Sequence, residues 1–180
     1  MLDNLKAELD KFRKRVITEA KKNLTRQGKK ASGKLYNDLD SDLEVYKSGN
    51  FALEFDLGQY GSFVDEGVKG AAPSRVPNGK QKAPNSRFKF KPNKKSIPTK
   101  VLDKWVTRKG LSPRNKKGQF TSRKSLKFLI ARSIHAQGLK PSLFFTRPFN
   151  NEFAKLSDEL VEAFGLDIDE FLKYTLNKYE

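Results

Sequence analysis

The chain has no cysteine and one histidine among 180 residues. Disulfides and thiolate metal sites are therefore excluded, and no His–His, His–Cys or Cys–Cys metal spacing can exist. No run of 18 apolar residues is present, so no segment reads as a membrane-spanning helix. Residues 1–24 mix Leu with Lys, Asp and Glu and lack the continuous apolar stretch of a signal peptide. These absences lead us to expect synthesis and function on the cytosolic side. Hydrophobic residues make up only 36% of the chain, below the usual range for compact domains. A modest core follows, and part of the chain is expected to need a partner before it orders.

Acidic residues are missing from one long stretch. Residues 68–140 hold 21 Lys/Arg and a single acid, Asp103. Residues 1–67 are balanced, with 12 basic and 12 acidic side chains, and residues 141–180 carry 4 basic against 8 acidic. The net charge of +16 is thus concentrated in the middle. Such a block repels itself and calls for phosphates, carboxylates or counterions nearby.

The first segment reads as a helix. Leu2, Leu5, Leu9, Phe12 and Val16 recur at spacings of three and four, and Ala20 and Leu24 extend the stripe. Gly28 and Gly33 end it, and a short turn through Leu35, Tyr36 and Leu39 follows. Phe51, Leu53, Phe55 and Leu57 then alternate with Ala52, Glu54 and Asp56, the period of a half-buried strand. Leu43, Val45 and Lys47 supply the partner strand, with Ser48-Gly49-Asn50 as the hairpin loop. One or two helical turns are expected over Tyr60–Gly67, with Tyr60, Phe63 and Val64 on one face and Gly67 as the cap.

Residues 68–97 read as a long basic loop or arm, rich in Lys/Arg and carrying Pro73, Pro77, Pro84 and Pro92. Loops this long are uncommon unless they bind something or are disordered. A helix is expected from Pro98 to Lys109, with Val101, Leu102, Trp105 and Val106 on one face and Trp105 in the core. A second basic loop, Leu111–Thr121, has a turn at Arg114-Asn115-Lys116-Lys117-Gly118. Another helix spans Ser122 to Gln137, capped by Gly138, with Leu126, Leu129, Ile130 and Ile134 as the core stripe. Phe128, Ala131, Arg132 and His135 fall opposite, which marks Phe128 as a contact with another subunit. Leu143–Thr146 reads as a short strand or extended link. Pro148 opens a helix with Phe149, Phe153, Leu156, Leu160 and Phe164 on one side, and Gly165 is expected to break it. Asp167 and Glu170 are spaced as a capping pair for a last helix. The expected organisation is a domain over 1–165, bearing the basic arm 68–97, and a C-terminal helix over 166–180.

Two stretches carry a family likeness. One is Tyr60-Gly-Ser-Phe-Val-Asp-Glu-Gly-Val-Lys-Gly70; the other runs from Phe128 through Ala131-Arg-Ser-Ile-His-Ala-Gln-Gly-Leu-Lys-Pro-Ser-Leu-Phe-Phe-Thr-Arg-Pro-Phe149. Ile97-Pro98, Trp105, Lys109-Gly110 and Gly118-Gln119-Phe120 lie between them in order. This order resembles the neck, or tail-completion (head–tail connector), proteins of tailed bacteriophages, in the variant of marine and gut phages that includes crAss-like ones. The likeness covers about Leu35 to Phe153 and stops before the last helix. It implies an α+β fold, in which a long N-terminal helix and a further helix pack against a small antiparallel sheet. It also implies a ring of copies in the virion, between portal and tail, around the channel that DNA crosses. No catalytic residues come with it.

The residues themselves offer little catalysis. The glycines at 49, 58, 61, 67 and 70 lack the lysine and helix context of a phosphate-cradling loop. Asp65 and Glu66 could touch a metal, but such a pair more often sits at a turn or pairs with Lys/Arg. We assign no catalytic residue, no metal ligand and no cofactor. Assembly contacts are expected at Phe128, Phe144, Phe145, Arg147 and Phe149. The reaching arm is expected to act through Lys69, Arg75, Lys80, Lys82, Arg87, Phe88, Lys89, Phe90, Lys91, Lys94 and Lys95. Its partner is the phosphates of channel DNA or an acidic protein surface, such as the portal, an adjacent neck or tail protein, or the acidic C-terminal helix of a neighbouring copy; a solvated loop is the plain alternative. Phe88 and Phe90 alternate with Lys89 and Lys91 as base-stacking residues would, although anchoring the arm on a protein surface explains them more simply. A virion structural protein made in the bacterial host cytoplasm is the leading expectation, and a basic DNA-binding protein the alternative.

Overall fold

Helix α1, Asp3–Arg26, buries Phe12, Val16, Ala20 and Leu24, the inner part of the stripe read from its spacing. The computed structural model describes residues 2–30, 32–46, 50–75, 79–92, 97–115, 117–120 and 122–177. Lys94 and Lys95 of the basic segment, Pro77, Lys116, the hairpin residues Lys47–Gly49 and Tyr179 lie outside them. The chain forms two compact units, each assembled from separate stretches.

The first unit gathers Met1–Arg26, Tyr36–Gly58 and Phe144–Glu180. Its elements are α1, most of a short helix α2 (Lys34–Asp38), strands β1 (Asp40–Val45) and β2 (Phe51–Asp56), and helix α6 (Thr146–Asn177). The strands form an antiparallel pair with Leu43 opposite Leu53 and Ser41 opposite Phe55. Period-two alternation turns Leu53 and Phe55 to the helices and leaves Glu54 and Asp56 exposed. Phe12, Val16 and Leu156 centre the core, with Phe145, Phe149 and Leu160 packed against them. Phe12, Phe55, Phe145 and Phe149 meet ring to ring at centroid distances of 5.3–6.3 Å. A long N-terminal helix and a second helix on a small antiparallel sheet is the α+β arrangement that the sequence implied.

α1 and α6 run antiparallel. Asn23 Nδ2 donates to the Phe144 carbonyl, Arg15 reaches Glu152 and Glu159, and Asn4 meets Asp167. Arg15 Nη2 lies 2.5 Å from Glu159, and Arg15 Nη1 3.3 Å from Glu8. Its Nε is 2.9 Å from Glu152 but not aligned for a hydrogen bond. Burial pulls the Arg15 pKa down, yet the bond to Glu159 and the charges of Glu159, Glu152 and Glu8 outweigh this and hold it above the ordinary arginine value.

α6 corrects the expected break. It is one helix of 32 residues, about 48 Å long. Gly165 has no proline near it, and a single glycine costs only about 1 kcal/mol against alanine, too little to end a helix docked along α1. Asp167 therefore starts no helix. It is buried in the middle of α6 and bonds to α1 instead.

The second unit comprises Gln27–Leu35 and Gln59–Leu143. It holds most of α3 (Gly58–Glu66), β3 (Val68–Lys69), a 3-10 turn at Pro73–Arg75, another at Thr99–Leu102, α4 (Asp103–Arg108), α5 (Arg123–Gln137) and β4 (Gly138–Leu139). β3 and β4 pair antiparallel, a second small sheet where one was expected. The extended piece after α5 is thus Gly138–Leu139, whereas Phe144 and Phe145 form the turn into α6. Leu143 before that turn has φ +50, and its N–H is held by the Asp65 carbonyl at 3.0 Å.

Leu102, Val106 and Ala131 make the core of this unit, with Ile97, Leu126 and Ile130 against them. Two expectations change here. Ala131 is buried and Leu129 is 59% exposed, so the buried arc of α5 is turned away from Leu129. A methyl group at 131 admits close approach to Leu102 and Val106, and the Lys127–Asp103 ion pair secures the same side. Trp105 is 37% exposed and Val101 more so, because the chain enters α4 through a 3-10 turn that shifts their direction relative to a continuous helix.

Candidate interaction surfaces

The two stretches that carry the family likeness are joined backbone to backbone. Val68 pairs with Leu139 and Lys69 with Gly138. Ser142 N–H donates to the Val64 and Asp65 carbonyls, and its Oγ donates to the Val64 carbonyl at 2.6 Å. Contact this close requires glycine. A Cβ on Gly70 would lie 2.0 Å from the Ala136 carbonyl oxygen, and one on Gly138 2.0 Å from that of Val68. Gly138 also has φ +89, in the region that favours glycine.

This junction holds the basic segment down. The Gln81 side-chain amide accepts from Gly70 N–H at 2.7 Å and donates to the Gly70 carbonyl at 3.0 Å. Lys82 N–H donates to the Gln137 carbonyl, and Ser86 Oγ to the Gly67 carbonyl. Lys69 N–H donates to the Phe88 carbonyl and Phe90 N–H to the Lys69 carbonyl, across a parallel bridge between Lys69 and Lys89. The long basic loop is present, but its described residues lie along their own unit instead of reaching outward. Backbone, side-chain amide and hydroxyl bonds at five places fix it, and charge repulsion is relieved by pointing the cations to solvent.

Arg75, Lys80, Lys82, Arg87, Lys89 and Lys91 are exposed, and Lys69 is half-buried in β3. Arg87 is paired with Glu66 at 2.8 Å and lies over the Phe88 ring. Phe88 packs on Phe63 with centroids 4.4 Å apart, and Phe90 on His135 at 5.8 Å. Both rings are half-buried anchors on the protein. Asp65 is buried, and Glu66 is paired with Arg87. Elsewhere on the unit the Lys29 ammonium is held below the ordinary lysine pKa, first by desolvation and then by Lys109 and Lys140.

The expected assembly residues separate into two groups. Phe144 is fully buried, and Phe145 and Phe149 belong to the aromatic core of the first unit. They hold the fold together, packed with Phe12 and Phe55, instead of lying open for another subunit. Arg147 is exposed beside a polar groove lined by Glu19, Asn23, Arg26 and Asn151. Phe128 is 52% exposed on α5, next to Leu129.

Sequence reading missed a second surface. The outer side of α6 exposes Phe153, Val161, Phe164, Ile168, Phe171 and Leu172. The signal was available: the apolar residues of 149–176 are too many for the one stripe that α1 can cover.

Charge divides with the units. The second carries 24 Lys/Arg and 3 Asp/Glu, a balance of +21, while the first carries 13 and 18, a balance of −5. In the first unit the hairpin adds a face of like charge, with Asp40 opposite Asp56 and Asp42 opposite Glu54. Among the described residues no helix is long and apolar enough to cross a membrane. The chain matches no protein-family model, no curated protein and no solved structure.

Proposed function

We propose that this chain is a structural binding subunit, acting through its surfaces and not through catalysis. Within that class we infer a ring-forming neck, or head–tail connector, protein of a tailed bacteriophage, located in the virion between portal and tail. One observation carries the reading: a single chain folds into two units of opposite net charge, +21 and −5. Molecules with a cationic and an anionic part attract further copies and anionic partners in a fixed orientation. The order of short motifs from Tyr60 to Phe149 supports the narrower assignment.

The partners under this reading are other copies of the chain, the portal or adjacent neck and tail proteins, and DNA in the channel. A reconstruction of the head–tail region of purified particles tests it. Density for this fold at ring stoichiometry is the expected result, and absence of the protein from particles would refute it.

The +21 unit also favours a second reading, a DNA-binding protein acting through phosphates. That reading requires a steep fall of DNA affinity with salt. A slope near zero eliminates it.

A further inference from the structure

The second half of α6 has two apolar rows, and only one is covered. Leu156, Leu160, Ala163 and Asp167 recur at spacings of four, three and four, and all are buried or half-buried. Leu156 and Leu160 pack with Phe12 and Val16, and Asp167 bonds to the start of α1. Val161, Phe164 and Ile168 each follow a residue of that covered side, so they lie about 100° round the helix, and Phe171 stands one turn beyond Ile168 on the same row. They are 43–73% exposed, with Phe153 and Leu172 extending the row. From Phe153 to Phe171 the row runs about 27 Å, a length typical of a helix-docking seam. Exposed apolar patches of this kind mark interaction sites.

The rim of the row selects its occupant. Asp158, Glu162 and Asp169 are exposed along the edge away from α1. Lys155 and Lys173 lie further round, and Lys155 is paired with Glu152. Packing the row on the same row of another copy would bring these carboxylates together, which like charge disfavours. The fitting partner is an apolar helix face rimmed by cations.

The same chain presents one. α5 contains no acidic residue. Phe128 and Leu129 are 52% and 59% exposed. Lys124 and Arg132 stand four residues before and after Phe128, on the same face, and both are exposed. Lys127 is turned away into its pair with Asp103. This patch cannot pair with itself any better than the α6 row can, because its rim is wholly positive.

We propose that the exposed row of α6 in one copy docks on the Phe128–Leu129 face of α5 in another copy, with the Asp158–Glu162 edge set against Lys124 and Arg132. The contact joins two different surfaces, so every copy keeps one of each free, and the association repeats head to tail until it closes. The inference deepens the ring-subunit reading and rests on it for the identity of the partner as a second copy.

The test uses the full chain and two substitutions at exposed positions, Val161→Asp on the α6 row and Phe128→Asp on the α5 face, with circular dichroism to confirm that both variants fold. Sedimentation velocity over a range of concentrations should show wild type assembling, more weakly in high salt. Each variant alone should associate at least tenfold more weakly. Mixed together they should form a one-to-one pair and nothing larger, because one intact surface of each kind remains. Glu162→Arg combined with Arg132→Glu should recover association that either change alone removes. Undiminished assembly of either variant, failure of the mixture to pair, or a wild type monomeric at every concentration overturns the docking. A chain found at ring stoichiometry in particles with the α6 row facing solvent sinks the docking and leaves the function standing. A chain that pairs as described but is missing from particles does the reverse.

Discussion

Asp167 caps the first turn of α1 through Asn4, 163 residues earlier. Its Oδ1 accepts from the Asn4 backbone N–H and from Asn4 Nδ2, both at 3.0 Å, and its Oδ2 accepts from Leu5 N–H at 3.0 Å. Leu2 precedes α1 and has no side-chain oxygen to offer the first turn. A carboxylate from α6 supplies what the local sequence lacks, and its charge also suits the positive end of the α1 dipole.

Removing that cap should cost stability. Asp167→Ala is expected to lose about 1–2 kcal/mol, and hydrogen exchange should speed up at the Asn4 and Leu5 amides before it does elsewhere in α1. Unchanged protection at those two amides would contradict the cap.

Acid should reproduce the effect. Burial raises the Asp167 pKa, but the bonds from Leu5 and Asn4 outweigh it and hold the carboxyl below the ordinary aspartate value. The folded pKa is then lower than the unfolded value of about 3.9, so the contribution is complete above that value and is lost as pH falls through the folded pKa. Acid unfolding followed by helical signal should show this increment in wild type and lack it in Asp167→Asn.

Gly165→Ala should stabilise the protein. The helix is continuous at this residue, and an added Cβ meets no atom within 4 Å. The gain is about 0.5–1 kcal/mol, read as a higher melting temperature. A loss would mean that the backbone at 165 is not helical.

Reversing one charge on the hairpin should also help. Glu54 stands opposite Asp42, and Asp40 opposite Asp56. Directly opposed like charges destabilise a strand pair, whereas opposite ones contribute roughly 0.2–1 kcal/mol. Glu54→Lys should raise the melting temperature at low salt, with the gain shrinking as salt is added.

Two glycines separate steric from conformational demand. Gly70→Ala places a Cβ on the Ala136 carbonyl and should cost about 2–3 kcal/mol. Gly118 has φ +77 with open space around it, so Gly118→Ala should cost only about 1 kcal/mol. Chemical unfolding of the two variants should rank them in that order.

Periodicity made much of this fold legible. The α1 stripe, the Phe51–Asp56 alternation, the Tyr60–Gly67 turns and the α5 limits all follow from side-chain spacing and are present. Side chains that bond to distant backbone left weaker marks. Asp167 stands in the row Leu156, Leu160, Ala163 at its regular spacing, and an acid on a core stripe is itself a sign of a buried polar task. Gln81 gave no sign at all, because an amide that grips a glycine backbone has no characteristic neighbours in sequence. The loop was therefore read as a reaching arm. On α5 the spacing places Ala131 opposite the Leu126, Leu129, Ile130 and Ile134 stripe, whereas the close approach of Leu102 and Val106 turns Ala131 inward and Leu129 out.

The first unit is woven from the beginning, the early middle and the end of the chain. During synthesis α1 leaves the ribosome about 150 residues before Leu156 and Asp167. At elongation rates of about 5–20 residues per second, the α1 stripe spends roughly ten seconds or more without its mate. Contacts of such long sequence separation close slowly. Exchange of α6 between two chains is the misassembly that such long-range pairing opens.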